Sequence, residues 1–176
     1  VHGINDLRIF SLKNNQKIPI YADFLTGRYI KKSFSYCFKN FPGYKAILKL
    51  NLLKKNFYFK KKGKTISIRS ITVQHGKILS QSFIINKSCA YVSDANKIFS
   101  KDLKYFKNLN YLVIDCLRFN IHPSHFNLHS VIEITKILKP KKTILTNLNN
   151  EMDYNYLSKI LPKNIVPGYD GMSFYI

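Results

Sequence analysis

No stretch of about 18 consecutive apolar residues occurs anywhere in the 176 residues, which excludes a transmembrane helix. The opening residues Val1-His2-Gly3-Ile4-Asn5-Asp6 have neither an initiator Met nor a signal-peptide pattern, so the chain is expected to continue upstream. Cysteine is scarce. Cys37, Cys89 and Cys116 are odd in number, widely spaced and set among apolar neighbours. That spacing fits neither a disulfide framework nor a zinc finger, and it points to a reducing cytosol. Linkers, repeats, and RNP-type, KH-type or zinc-finger signatures are all missing, and the aromatics do not cluster with the lysine runs. Acidic residues are few, 9 against 29 basic ones, for a formal net charge of +20.

What remains is ordinary globular material. Apolar residues make up 45% and charged residues 22%, in a chain long enough for one domain over residues 1–176 and too short for two of average size. The charge has two readings. A surplus of this size steers anions and can track a phosphate backbone. Yet 25 of the 29 basic residues are Lys, spread from Lys13 to Lys163 beside abundant Asn, Ile, Phe and Tyr, all residues with A/T-rich codons. Genome composition therefore explains the surplus equally well. The densest run, Lys60-Lys61-Lys62-Gly63-Lys64, reads as an exposed hairpin turn between strands at 56–59 and 65–73.

The patterning is α/β throughout. Residues 18–21 read as a strand, and Asp23 is placed to cap a helix over about 24–32. Strands follow at 46–52, 56–59 and 65–73; in the last, the alternation Ile66, Ile68 shifts to Ile71, Val73 across Ser70, as at a bulge. Residues 82–85 and 89–92 flank Asn86-Lys87-Ser88 as a hairpin. A short helix over 102–108 precedes a buried strand at 111–114. Leu128, Val131, Ile132, Thr135 and Leu138 recur at helical spacing, with Ser124 or Asn127 as cap and Pro140 as stop. A strand at 143–145, a helix over 154–161 and a last strand at 173–176 complete the reading, which suits a sheet layered with helices.

Short polar clusters sit directly after the apolar, β-branched runs: Gln74-His75-Gly76, Ser93-Asp94, Asp115, His122-Pro123-Ser124-His125 and Thr146-Asn147. Ligands of α/β sheets gather at strand ends. A set of strand ends carrying His, Asp and Asn to one rim has the chemistry of a hydrolytic metal site.

These clusters, with residues 1–8, Ile114-Asp115-Cys116-Leu117-Arg118, Ile144-Leu145-Thr146 and Tyr169-Asp170-Gly171-Met172, resemble the metallo-β-lactamase-fold hydrolases. The nearest resemblance is to the bacterial subgroup related to the cyclic phosphodiesterase that accompanies carbon–phosphorus lyase. The motifs run in family order along the whole chain. The resemblance implies an αββα sandwich incomplete at the N-terminus, because the family's HxHxDH run belongs immediately before Val1-His2-Gly3 and is absent here. It also implies divalent ions, zinc or manganese, one or two in the intact protein.

Residue by residue, the resemblance makes His75 a metal ligand and Asp94 the carboxylate that bridges two ions. Asn147 stands where the family usually has a ligating His. An amide oxygen is a harder, weaker, uncharged ligand, which puts the second ion in question. His125 matches a position near the reacting phosphate, where an imidazole can protonate the leaving oxygen. His122 is placed to orient a partner such as Asp115, while Asp115 serves equally as the structural ion-pair partner of Arg118. Asp170 is a candidate at the site mouth and also part of a turn. His2 and His129 are left structural.

The implied function is a cytoplasmic metal-dependent phosphodiesterase acting on a small phosphodiester, cyclic or linear, through a metal-activated hydroxide. An RNA-processing nuclease of the same fold, without an obvious inserted RNA-gripping arm, and a non-catalytic basic RNA-binding module are the alternatives. RNA and a second copy of the chain, as a homodimer, are the partners left open; a membrane is not. With His75 and Asp94 as its strong ligands, the chain by itself is expected to bind zinc or manganese poorly and to be inactive.

Overall fold

A computed structural model describes residues 2–61 and 63–176. Val1 and Lys62, the latter inside the basic run, lie outside the described residues. The chain divides into two compact units, Val1–Lys54 and Lys55–Ile176.

In the first unit, a 3-10 turn over His2–Leu7 leads into helix α1 (Arg8–Lys13), strand β1 (Ile18–Ala22), helix α2 (Phe24–Ser33) and strand β2 (Leu48–Leu52). β1 and β2 pair in parallel, from Ile18 opposite Leu48 to Ala22 opposite Leu52. Asp23 caps α2 as its sequence position predicts: Oδ1 accepts from the backbone N–H of Leu25 and Thr26, both at 3.0 Å. A small core of Ile4, Ile30, Cys37, Ile47 and Leu48 holds the unit.

The second unit is built on one sheet. Its strands, in spatial as well as chain order, are β3 (Asn56–Lys61), β4 (Lys64–His75), β5 (Ile78–Ile85), β6 (Cys89–Val92), β7 (Tyr111–Asp115), β8 (Lys142–Thr146) and β9 (Ile165–Pro167). β3 to β6 are antiparallel hairpins, and β6 to β9 are parallel. The β5–β6 turn holds Asn86 and Lys87 at φ 52° and 53°, the paired positive φ that suits a tight hairpin. The parallel strands need crossovers. Helices α3 (Leu128–Leu138) and α4 (Tyr154–Ile160) supply two, and the first runs through a 3-10 turn at Ser100–Tyr105. Asn127 and Ser130 form a reciprocal capping box at the start of α3, and Lys139 closes it in the left-handed conformation just before Pro140. Val92, Leu112, Ile114, Leu145, Val131 and Leu138 are fully buried in the main core. At about 1.5–3 kcal/mol for each such side chain, this packing is what fixes the strand ends.

The neighbouring strands β6, β7 and β8 are those the apolar runs predict. Three local expectations are corrected. β4 has no bulge at Ser70: its register with β5 runs unbroken from Ile68 opposite Ile85 to His75 opposite Ile78. Ile66 and Ile68 therefore face one side of a continuous strand and Ile71 and Val73 the other. The short helix expected over 102–108 is a 3-10 helix over Ser100–Tyr105, and residues 106–108 are a turn. The last strand is β9, not residues 173–176, which are irregular. Ile165 and Pro167 are buried against the sheet, whereas Tyr175 is 98% exposed, so burial overrides the β-propensity of the terminus. Among the described residues, no helix is long and apolar enough to cross a membrane.

Candidate metal centre

The site grows from the end of β4. His75 is its last residue, and the two-residue turn Gly76-Lys77 leads directly into β5. Gly76 has φ +61°, and a Cβ there would come within 2.8 Å of the Ser124 Cβ. Only glycine satisfies both demands, and its bareness lets the His122–His125 loop lie against the His75 turn. Asn96 joins the two. Its Oδ1 accepts from the Gly76 N–H at 3.1 Å, and its Nδ2 donates to the Pro123 carbonyl at 3.1 Å. In the sequence Asn96 carries no signal beyond its adjacency to the Ser93-Asp94 cluster.

Asp94 follows β6 with φ 49°, a left-handed conformation that Asp tolerates better than most residues. Its carbonyl accepts from Ser80 Oγ at 2.7 Å. Asp115 ends β7 and is fully buried. Its Oδ2 accepts from the Ala95 N–H at 2.9 Å and lies 2.6 Å from His125 Nδ1. Its Oδ1 is buried without a partner. Burial pushes the Asp115 carboxyl above its ordinary value, against the opposing pull of the Ala95 and His125 hydrogen bonds. The neighbouring Cys116 thiol is pushed up to about 12, chiefly by burial, so it is neither a ready ligand nor a nucleophile.

With its Nδ1 engaged by Asp115, His125 turns Nε2 toward His75 Nε2, 3.3 Å away. One donor atom each from His75, Asp94 and His125 all lie within 4.8 Å of one another. The sequence-predicted His75, Asp94, Asp115 and His125 are thus brought together at one rim. His122 lies beside them, its ring centroid 5.0 Å from that of His125, but it does not hold Asp115: its Nδ1 accepts from the Ser124 N–H and faces Ser124 Oγ, both at 3.2 Å, and His125 takes the place beside Asp115. The Asp115–Arg118 ion pair does not form either: the Arg118 guanidinium donates to the carbonyls of Asn120 and Ile121 at 3.3 and 2.6 Å.

Asn147 lies one strand further on. It follows Thr146, the register partner of Asp115, and has φ 60°. With Thr146, Gly168, Tyr169 and Asp170 it lines a cleft of about 500 Å³, so the Asn147 and Asp170 candidates share one surface.

The donor set fits a divalent cation. The His75 imidazole and the Asp94 carboxylate suit zinc or manganese, and His125 Nε2 faces the same point 3.3 Å from His75 Nε2. A buried carboxylate holding the far nitrogen of a site histidine is the usual outer support of such centres.

The sheet rim gathers imidazoles and carboxylates at its strand ends, and comparison with known proteins shows the family to which such a rim belongs. Residues 1–146 match the family described as the beta-lactamase superfamily domain, and the chain belongs to that family. Among solved structures it is similar to a diphosphatase of the PhnP family, with a TM-score of 0.84 and 24% identity. That likeness covers 97% of this chain and 63% of the diphosphatase, so the chain spans less than two thirds of that protein's length. It is also similar to the metallo-beta-lactamase fold protein YhfI from Bacillus subtilis, with a TM-score of 0.74, 15% identity, and 97% and 70% of the two chains covered. For zinc-bound PqqB from Methylobacterium extorquens the TM-score is 0.69 at 10% identity, covering 94% and 67%. No curated protein matches.

Proposed function

We propose that the intact protein is a metal-dependent phosphodiesterase of the cytosol, using zinc or manganese on a small phosphate-containing substrate. The observation that carries this reading is the convergence of His75, Asp94 and His125 within 4.8 Å, backed by the 2.6 Å contact of His125 with buried Asp115. A divalent ion held there supplies Lewis-acid polarisation of the phosphoryl group and makes water acidic enough to attack at neutral pH. His75 and Asp94 are the residues that would hold it. His125 faces the same point through Nε2 and is positioned to give a proton to the leaving oxygen. Asp115 accepts from His125 Nδ1, which keeps the reactive nitrogen aimed at the site. Ser80, Ala95 and Asn96 fix the segments that carry these groups. The net charge of +20 favours an anionic substrate, and the similarity to a PhnP-family diphosphatase supports phosphate ester chemistry over thioesters or lactams.

The test is hydrolysis of bis(p-nitrophenyl) phosphate by the intact protein before and after chelation. Activity should vanish with the ion and return with zinc or manganese. Equal activity in the chelated protein would contradict the proposal, and preferential cleavage of an oligoribonucleotide would favour the nuclease reading.

A further inference from the structure

A second cleft in the Lys55–Ile176 unit is unrelated to the metal centre. Its volume is about 390 Å³, within the range of small-molecule sites and larger than a lone phosphate needs. Arg69 of β4 and Lys87, Lys104 and Lys107 from the turns around it supply four positive charges, and none of the residues lining it is acidic. Arg69 sits six residues before His75 on one continuous strand, roughly 20 Å from it along the strand.

The cations are held rather than free. The Arg69 guanidinium lies over the Tyr105 ring at 4.4 Å from its centroid, and Lys104 Nζ lies 5.2 Å from the same centroid. Among the described residues neither forms a salt bridge with a carboxylate. Like charges gathered on one aromatic ring repel, and a multiply charged anion relieves that repulsion. The floor is different in kind: Ile84, the register partner of Arg69, and Leu109 are 5% and 6% exposed. At the mouth, Tyr58 is 69% exposed and offers a ring face. A cationic rim, an apolar floor and an exposed aromatic match phosphates joined to a flat heterocycle.

We propose that this cleft binds a nucleoside polyphosphate, with the phosphates on Arg69, Lys87, Lys104 and Lys107 and the base against Tyr58 and the apolar floor. The site operates independently of the ion proposed at His75 and Asp94.

Calorimetric titration of the protein with ATP in EDTA tests this, since no ion can then recruit the phosphates to the metal centre. One ATP should bind per chain. The Lys104→Glu/Lys107→Glu double variant should weaken it by roughly tenfold or more, as lost charge-assisted contacts do. Lys159→Glu/Lys163→Glu, an equal charge change on exposed positions elsewhere, should leave affinity within about twofold. Tyr58→Ala should weaken ATP but not inorganic tripolyphosphate. Should the double variant fail to fold, Lys87→Glu alone carries the same expectation. The proposal is overturned by no binding, by equal weakening in the control pair, by tripolyphosphate matching ATP with Tyr58→Ala inert, or by a single-stranded oligoribonucleotide binding more tightly at the same residues.

Discussion

The rim of the seven strands has two stretches that the sequence treats alike and the structure does not. From β4 to β7, each strand end or the loop behind it delivers a group that meets another: His75 meets His125, His125 meets Asp115, and Asp94 closes the set. From β8 to β9, Asn147 and Asp170 line an open cleft of about 500 Å³. Both stretches use the same backbone device, a left-handed Asp or Asn directly after or one residue beyond a parallel strand. What differs is the chemistry placed on it. Imidazoles and carboxylates compete effectively for a divalent ion, whereas an amide oxygen is a weak donor. The comparison teaches that the fold builds rim positions generically, and that residue type decides which of them holds an ion.

The sharpest way to break the comparison is to empty the strong stretch. His75→Ala in the intact protein should lose bound metal and hydrolysis together, whatever the leaving group, as read by metal analysis alongside turnover. Loss of activity with the ion retained would remove His75 from the ligand set.

Asp115→Asn comes next, because it leaves the ligands and removes the support of His125. Turnover should fall by about 10²-fold, since the carboxylate no longer holds His125 Nδ1. The same variant has a pH signature. Burial raises the folded carboxyl above its ordinary value of 3.8, so ionisation favours the unfolded chain. Its contribution to stability is complete below that value and is lost as pH rises through the higher folded one. In metal-free protein, the Tm of the variant minus that of the wild type should therefore grow as pH increases from about 4 and then level off. A difference independent of pH would show that Asp115 is not held up by burial.

The smallest effect comes from strengthening the weak stretch. Asn147→His places an imidazole where the family usually has one, and it should tighten the weaker ion by roughly tenfold in a metal titration, with little change in the tighter one. An unchanged titration would mean that the β8 end does not face the ions.

The legible parts of this molecule were those governed by strand ends and helix caps. The runs before Asp94, Asp115 and Thr146 are apolar because β6, β7 and β8 are buried neighbours, and that same burial fixes where each polar residue emerges. Asp23 and Asn127 announced their helices through a local hydrogen bond that needs no tertiary context. What escaped depended on segments meeting in space. Nothing adjacent to His122 distinguishes it from His125 as the partner of Asp115; the docking of the loop on Gly76 decides that. Asn96 is an ordinary polar residue until it spans the His75 turn and the Pro123 carbonyl. The final strand lies at 165–167 rather than 173–176 because β-branched residues occur at the first and aromatic residues with Ile176 at the second, and only burial selects the first.

The central claim is a division of labour, with His75 and Asp94 holding the ion and His125 supplying a proton. Metal content and turnover per bound ion of His125→Ala in the intact protein, measured on a p-nitrophenyl and an alkyl phosphodiester, test it most directly. The account predicts that the ion stays and that turnover falls by roughly 10²–10⁴-fold on the alkyl ester. The loss should be much smaller on the p-nitrophenyl ester, whose leaving group needs no proton. A variant that sheds its ion while turnover per bound ion stays unchanged would make His125 a ligand and contradict the account.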